Sequence, residues 1–165
     1  MRMRKKKNLP QRMERAAAVL IQAPQELCGK WRETFPGYRE LRVELGCGKG
    51  SFTAKTASAE PESFLVAVEK VPDAMIMAME KAVAAELENV RFIDMDAAGI
   101  NDVFAPGELD RIYINFCDPW PGKKHAKRRL TAPGFLELYK TALRPGGEQM
   151  LRVVRPIAVA QGVLA

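Results

Sequence analysis

The sequence predicts an α/β chain built on a doubly wound, mostly parallel sheet, and three observations carry that expectation. Four short runs, LRVEL (41–45), FLVAVE (64–69), VRFID (90–94) and RIYINF (111–116), are dense in Val, Ile, Leu and Phe, as strands buried on both faces are. Helical stretches separate the runs, so successive parallel strands need right-handed crossovers. A glycine-rich turn, GCGKG (46–50), directly follows the first run and opens a helix, the place where open α/β sheets hold their ligands.

Before the first strand, residues 1–9 read as a flexible basic arm and residues 10–22 as a short helix that Pro24 stops. Residues 1–40 are thus an N-terminal arm and helix ahead of an α/β domain at 41–165. The clearest helix spans 72–88, PDAMIMAMEKAVAAELE, with Pro72 near its first position and Asp73 in its first turn. Its methionines, Met75, Met77 and Met79, read as core fillers rather than as a soft binding surface, with Met95 on a later loop. Residues 131–148, TAPGFLELYKTALRPGGE, supply another helix, ended by Pro145 and the Gly146–Gly147 turn. QMLRVV (149–154) is then suited to a fifth strand.

At 165 residues the chain is sized for one hydrophobic core. With 26 Lys and Arg against 20 Asp and Glu, its net charge of +6 favours an anionic partner. Nucleic acid ranks ahead of membrane, because no long basic amphipathic helix is present and no segment is long enough to span a bilayer. Cys28, Cys47 and Cys117 lie far apart and form no C-x-x-C pair, so neither a disulfide framework nor a metal site is expected. A reducing cytoplasm is the matching compartment, and the AAAVLI stretch is too short for a secretion signal.

The loops at the strand ends carry the chemistry. The glycine spacing is G-x-G-x-G, where the dinucleotide fingerprint has G-x-G-x-x-G. Glu44, just before it, would repel a pyrophosphate and suits an ammonium or sulfonium; S-adenosylmethionine carries both. Gly46 and Gly48 let backbone amides approach such a ligand closely, although a plain strand-to-helix turn has the same composition. Glu69 ends the second strand 19 positions beyond Gly50 (69 minus 50), where a carboxylate can accept from both ribose hydroxyls, or simply pair with Lys70. Asp96 is placed to accept from an adenine amino group, and Asp94 to cap the turn after the third strand.

The fourth strand runs into NFCDPWPGKKHAKRRL (115–130). Asp118 falls at its carboxyl end, with Pro119, Trp120 and Pro121 stiffening the chain around it. Lys123, Lys124, Lys127, Arg128 and Arg129 form a basic run suited to phosphate contacts, or to a solvated cationic face. His125, the one histidine of the chain, lies inside that run and reads as an RNA contact or a solvated residue before a catalytic one.

Taken together, MRMR, GKW, VELGCGKG, VAVE, NVRFIDMDA, DRIYINFCDPWPGKKHAKRRLT and FLELYKTALRPGGE resemble, in order and spacing, the bacterial tRNA (guanine-N7)-methyltransferases. The resemblance covers about residues 1–148, and its DPWP and KHAKRRLT segments are the specific part. It implies a Rossmann-like class I methyltransferase sheet, S-adenosylmethionine as cofactor, tRNA as partner, and methyl transfer to N7 of the guanine at position 46 of the variable loop. It further implies that Glu44, Glu69, Asp96 and Asp118, with Gly46 and Gly48, surround the cofactor. Asp118 would serve catalysis, and the span from Lys123 to Arg129 would touch RNA. Gly122 stands where the family carries a substrate-contacting lysine, for which Lys123 is the nearest substitute. Beyond Glu148 the family's K-T-D-N aspartate falls at Val154, so the expected sheet lacks the family's last two strands. The alternative expectation is accordingly a truncated, non-catalytic member that keeps only cofactor or RNA binding.

Overall fold

The computed structural model describes residues 4–115 and 123–152. Among these, five strands form one sheet: β1 (Glu40–Leu45), β2 (Ser63–Glu69), β3 (Val90–Asp94), β4 (Leu109–Asn115) and β5 (Leu143–Arg152). All pairings are parallel and the order is β3-β2-β1-β4-β5. The four apolar runs are therefore the first four strands, and a fifth strand follows them. The winding direction reverses between β1 and β4, and that switch point opens a crevice at their carboxyl ends.

Alternation along the central strands splits the core into two layers. Val43, Leu45, Phe64, Val66 and Val68 pack on one face with Trp31, Phe104, Ile112 and Tyr139. Leu65 and Ala67 pack on the other with Met75, Ile76, Met79 and Phe92. The helices covering these faces are α1 (Leu9–Arg15), α2 (Trp31–Thr34), α3 (Ser51–Ala59), α4 (Pro72–Ala84), α5 (Ile100–Val103) and α6 (Pro133–Ala142). Met75 and Met79 are fully buried and Met77 partly so, which makes the methionine stripe core packing. Among the described residues no helix is long and apolar enough to cross a membrane.

Three elements depart from the sequence expectation, each for a local reason. Instead of continuing to residue 22, α1 stops at Arg15, and a 3-10 turn at Ala17–Val19 leads Leu20 into a bridge with Phe92. Ile21 N–H then donates to Phe92 O at 2.9 Å, so these residues satisfy the outer edge of β3 rather than prolong a helix. The helix α4 ends at Ala84 because Glu86 takes a left-handed φ of 53°. Glu86 N–H bonds to Val83 O and Leu87 N–H to Ala82 O, both at 3.1 Å, which is a Schellman closure without the usual glycine. Finally, α6 ends at Ala142, three residues before Pro145, and Leu143 already pairs with Leu109. Proline disfavours helix at the residue preceding it, so Arg144 belongs to the strand.

At the amino ends of β1, β4 and β5 a buried carboxylate locks the sheet. Asp110 accepts from Leu41 N–H at 2.7 Å, from Arg144 Nε at 2.5 Å and from the Arg32 guanidinium. Burial alone would raise its pKa, but these hydrogen bonds and cations outweigh it and hold the carboxyl below its ordinary range.

Gly50 must be glycine twice over. Its φ is +81°, and a Cβ there would lie 2.5 Å from Ala78 Cβ and 2.6 Å from Ala78 Cα. Gly50→Ala should therefore lower stability by about 2 to 4 kcal/mol, combining left-handed strain with overpacking. Gly48→Ala, where nothing lies within 4 Å, should lose only about 1 kcal/mol. Urea denaturation of the two variants checks the difference, and equal losses would contradict it.

Candidate functional site

The glycine loop folds back over the end of β2. Gly46 N–H and Cys47 N–H both donate to Val68 O, at 2.8 and 3.0 Å, and Gly50 N–H closes the turn on Cys47 O at 3.0 Å. Gly46, Gly48 and Gly50 all have left-handed φ, at 73°, 55° and 81°. A Cβ on Gly46 would meet Asn115 O at 3.3 Å and Leu130 Cδ1 at 4.0 Å. The loop thus lies against the end of β4 and the residue just past the basic run.

Glu69, at the end of β2, anchors this loop. Its Oε2 accepts from Gly48 N–H at 2.8 Å, and its Oε1 from Lys70 N–H at 3.0 Å and Val71 N–H at 3.1 Å. A carboxylate has about four acceptor positions, so these bonds leave room on Oε2 for one more donor. The Lys70 ammonium turns instead toward Asp96, at 3.9 Å. Asp96 is exposed, and its Oδ1 takes Ala98 N–H at 2.9 Å. The cap that the sequence assigned to Asp94 therefore belongs to Asp96, because the turn at Ala97–Gly99 starts two residues later than expected.

Beneath the loop lies Glu44, fully buried. Its Oε2 accepts from the Thr53 hydroxyl at 2.6 Å and its Oε1 from Asn115 Nδ2 at 3.2 Å. Burial pushes the Glu44 carboxyl up to about 7; the bonds from Thr53 and Asn115 oppose that rise, and the neighbouring Glu69 charge adds to it. Among the described residues no lysine or arginine pairs with Glu44. Asn115 Oδ1 is likewise buried without a hydrogen-bond partner among them. Cys47, buried next to both carboxylates, has its thiol pushed well above the ordinary range by burial and then by those charges, which disfavours the nucleophilic thiolate.

The sequence did not single out Thr53 or Asn115. Asn115 left a signal, as a polar residue directly after the buried Ile112, Tyr113 and Ile114 of β4. Thr53 left none, since only the fold carries it back to Glu44. Asp118, Trp120 and Gly122 lie outside the described residues. Lys123–Arg128 form a 3-10 segment in which Lys123, Lys124, Lys127 and Arg128 are exposed, while Arg129 is half-buried. His125 falls within that segment. The Tyr139 hydroxyl donates to Leu130 O at 2.8 Å and ties the end of this stretch to α6.

A family described as "Putative methyltransferase" matches residues 38–153. The tRNA (guanine-N(7)-)-methyltransferase of Listeria monocytogenes serotype 4b (strain F2365) is 38% identical over 148 residues, covering 90% of this chain and 69% of that protein. The enzyme of the same name from Lactococcus lactis subsp. cremoris (strain MG1363) is also 38% identical over 148 residues, covering 90% and 68%. The chain belongs to the tRNA (guanine-N(7)-)-methyltransferase family. Solved structures similar to this family member share its fold. The antibiotic-resistance methyltransferase Kmr superposes with a TM-score of 0.60 at 20% identity, over 83% of this chain and 73% of that one. A SAM-dependent methyltransferase from Aquifex aeolicus superposes with a TM-score of 0.57 at 16% identity, over 95% and 78%. In the tRNA (guanine-N(7)-)-methyltransferase family member described here, Glu44, Gly46, Gly48 and Glu69 are brought together at the switch point, with Asp96 at the adjoining strand end.

The state of Glu44 sets a pH dependence. Its pKa is about 7 in the folded protein against an ordinary 4.5, so the folded state keeps a proton that the unfolded chain releases. The contribution of Glu44 to stability is then greatest below 4.5 and falls as pH rises toward 7, where the buried carboxylate ionises. Glu44→Gln should remove that fall. Between pH 5 and 8 the wild type should lose on the order of 3 kcal/mol more than the variant, measured by urea denaturation. Parallel pH profiles for the two proteins would refute it.

Proposed function

We propose that this chain is an S-adenosylmethionine-dependent enzyme that methylates N7 of a guanine in tRNA, at position 46 of the variable loop, in the cytoplasm. The observation that carries the reading is the buried Glu44 carboxyl under the glycine loop, which among the described residues pairs with no lysine or arginine. With Glu69 beside it, that site suits a cationic ligand and disfavours a pyrophosphate. The 38% identity over 148 residues to enzymes named for this reaction supports the choice of substrate.

S-adenosylmethionine supplies, when bound, an electrophilic methyl group on a cationic sulfur. The residues present fit such a group. Glu69 keeps one acceptor position for a ribose hydroxyl, and Asp96, capping with Oδ1, has in Oδ2, 3.9 Å from the Lys70 ammonium, an oxygen that can accept from an adenine amino group. Gly46 and Gly48 leave the loop without side chains on that side, and Glu44 beneath it is a carboxyl whose ionised form a cationic ligand would favour.

Guanine N7 has an in-plane lone pair and carries no proton, so the chain needs no general base. Its task is to align N7 with the methyl group and to accept the positive charge that develops on the base. Asp118, three residues past the end of β4 in the sequence, is the group assigned to that task. Its carboxylate would accept from guanine N1–H and the exocyclic amine, orienting the base and offsetting the developing cation. Trp120 would wall the pocket. Lys123, Lys124, His125, Lys127, Arg128 and Arg129 would hold phosphates and fix the register of the RNA without reading its sequence.

Two measurements test this. Purified chain with labelled S-adenosylmethionine should incorporate methyl into bulk tRNA as 7-methylguanine. Asp118→Ala should slow the step by the equivalent of about 2 to 4 kcal/mol, or roughly 30- to 1000-fold. Cofactor binding without any methyl incorporation would instead assign the chain a binding role. In parallel, replacing Lys127, Arg128 and Arg129 with Ser should flatten the plot of log affinity for tRNA against log salt, and an unchanged slope would remove the run from the RNA contact.

A further inference from the structure

The run at Lys123–Arg129 lies on the β4 side of the glycine loop. A second basic cluster, Arg4 to Lys7, lies on the other side. Lys6 N–H donates to Asp73 Oδ1 at 2.5 Å, and Asp73 sits in the first turn of α4, four residues past Glu69 at the end of β2. The sheet order places β2 and β4 on opposite flanks of β1. The two clusters therefore straddle the crevice, with Lys49 exposed on the glycine loop between them.

Three observations lift the arm above an ordinary solvated charge run. It is tied down: beyond the Lys6 bond, Arg12 N–H closes on Asn8 O at 3.0 Å, and the Arg12 guanidinium grips Glu80 of α4 at 2.7 and 2.6 Å. A held arm gives up less freedom when it binds. Its cations are also available, since Arg4, Lys5 and Lys7 are exposed and none bonds a carboxylate among the described residues. Lastly, the crevice beside it is acidic, with Glu69, Asp73, Asp94 and Asp96 at the ends of β2 and β3 and the start of α4. Those charges repel an RNA backbone, so cations on both rims are needed to bring one across.

We infer that Arg4, Lys5 and Lys7 form a second phosphate-binding surface for the RNA substrate, opposite Lys123–Arg129, so that the strand is gripped on both sides of the glycine loop. This rests on the tRNA reading above. The partner is an RNA backbone rather than an anionic membrane because the cluster borders the crevice and lies across from the other basic run.

The test measures tRNA binding across a series of potassium chloride concentrations for the full chain. Replacing Arg4, Lys5 and Lys7 with Ser should reduce the slope of log affinity against log salt by about 1 to 3, one phosphate contact being worth roughly 0.7 to 0.9. An Arg4→Lys variant, which keeps the charge, should retain the wild-type slope, and thermal melting reports that each variant is folded. If the arm variant keeps the wild-type slope while the Lys127, Arg128 and Arg129 variant loses part of it, the arm inference alone falls. If the wild type shows no salt-dependent tRNA binding, the tRNA reading falls with it. Vesicles of phosphatidylserine and phosphatidylcholine form the control: arm-dependent binding to them, with an unchanged tRNA slope, would assign the arm to a membrane and overturn the inference.

Discussion

The buried Glu44 carboxylate is the constraint around which the crevice is built. Among the described residues no lysine or arginine pairs with it, and its environment rests on hydrogen bonds from Thr53 and Asn115. Those two partners belong to α3 and to the last position of β4, so one side chain joins β1, α3 and β4 at the switch point. The glycine loop runs from just after Glu44 to just before Thr53 and is clamped at both ends. Glu69 holds its middle through Gly48 N–H. The loop is preorganised by side chains that come from neighbouring strands and helices, and its own glycines contribute only the backbone angles.

That arrangement separates two electrostatic requirements that conflict in this reaction. A cationic methyl donor calls for negative charge at the base of the crevice, whereas an RNA substrate calls for positive charge where its backbone passes. Glu44 and Glu69 lie inside and under the loop, while the exposed lysines and arginines lie at the rim. At physiological ionic strength charges more than about 8 Å apart are largely screened when exposed, whereas a buried carboxylate is screened much less. Depth therefore lets one small site present both signs.

The strands were legible because burial on both faces writes itself as continuous apolar runs, and the glycine loop because left-handed backbone at three alternate positions, 46, 48 and 50, leaves few alternatives to glycine. What escaped was settled by partners distant in the chain. The end of α1 depends on β3 needing an edge partner, and the end of α4 on Glu86 adopting a left-handed φ that sequence composition assigns to glycine. At the site, the position of Glu69 was readable from its strand. Its occupation by three backbone N–H groups was not, since Gly48 lies 21 positions away. Asn115 reaches Glu44 across 71 positions and was invisible for the same reason.

Two carboxylates at opposite ends of this sheet show how environment separates structure from chemistry. Asp110, at the amino ends, is hydrogen-bonded to Leu41 N–H and flanked by the guanidinium groups of Arg32 and Arg144, and its pKa is held low. Its charge is fully answered from within the chain, and nothing further is asked of it. Glu44, at the carboxyl ends, is more deeply buried, receives only neutral donors among the described residues, and has its pKa driven up. A chain selected for stability alone would gain from giving Glu44 a cation or removing its charge. That no cation among the described residues answers it is the physical reason to look for positive charge in a ligand, at the end of the sheet where the winding reverses and the glycine loop lets one approach.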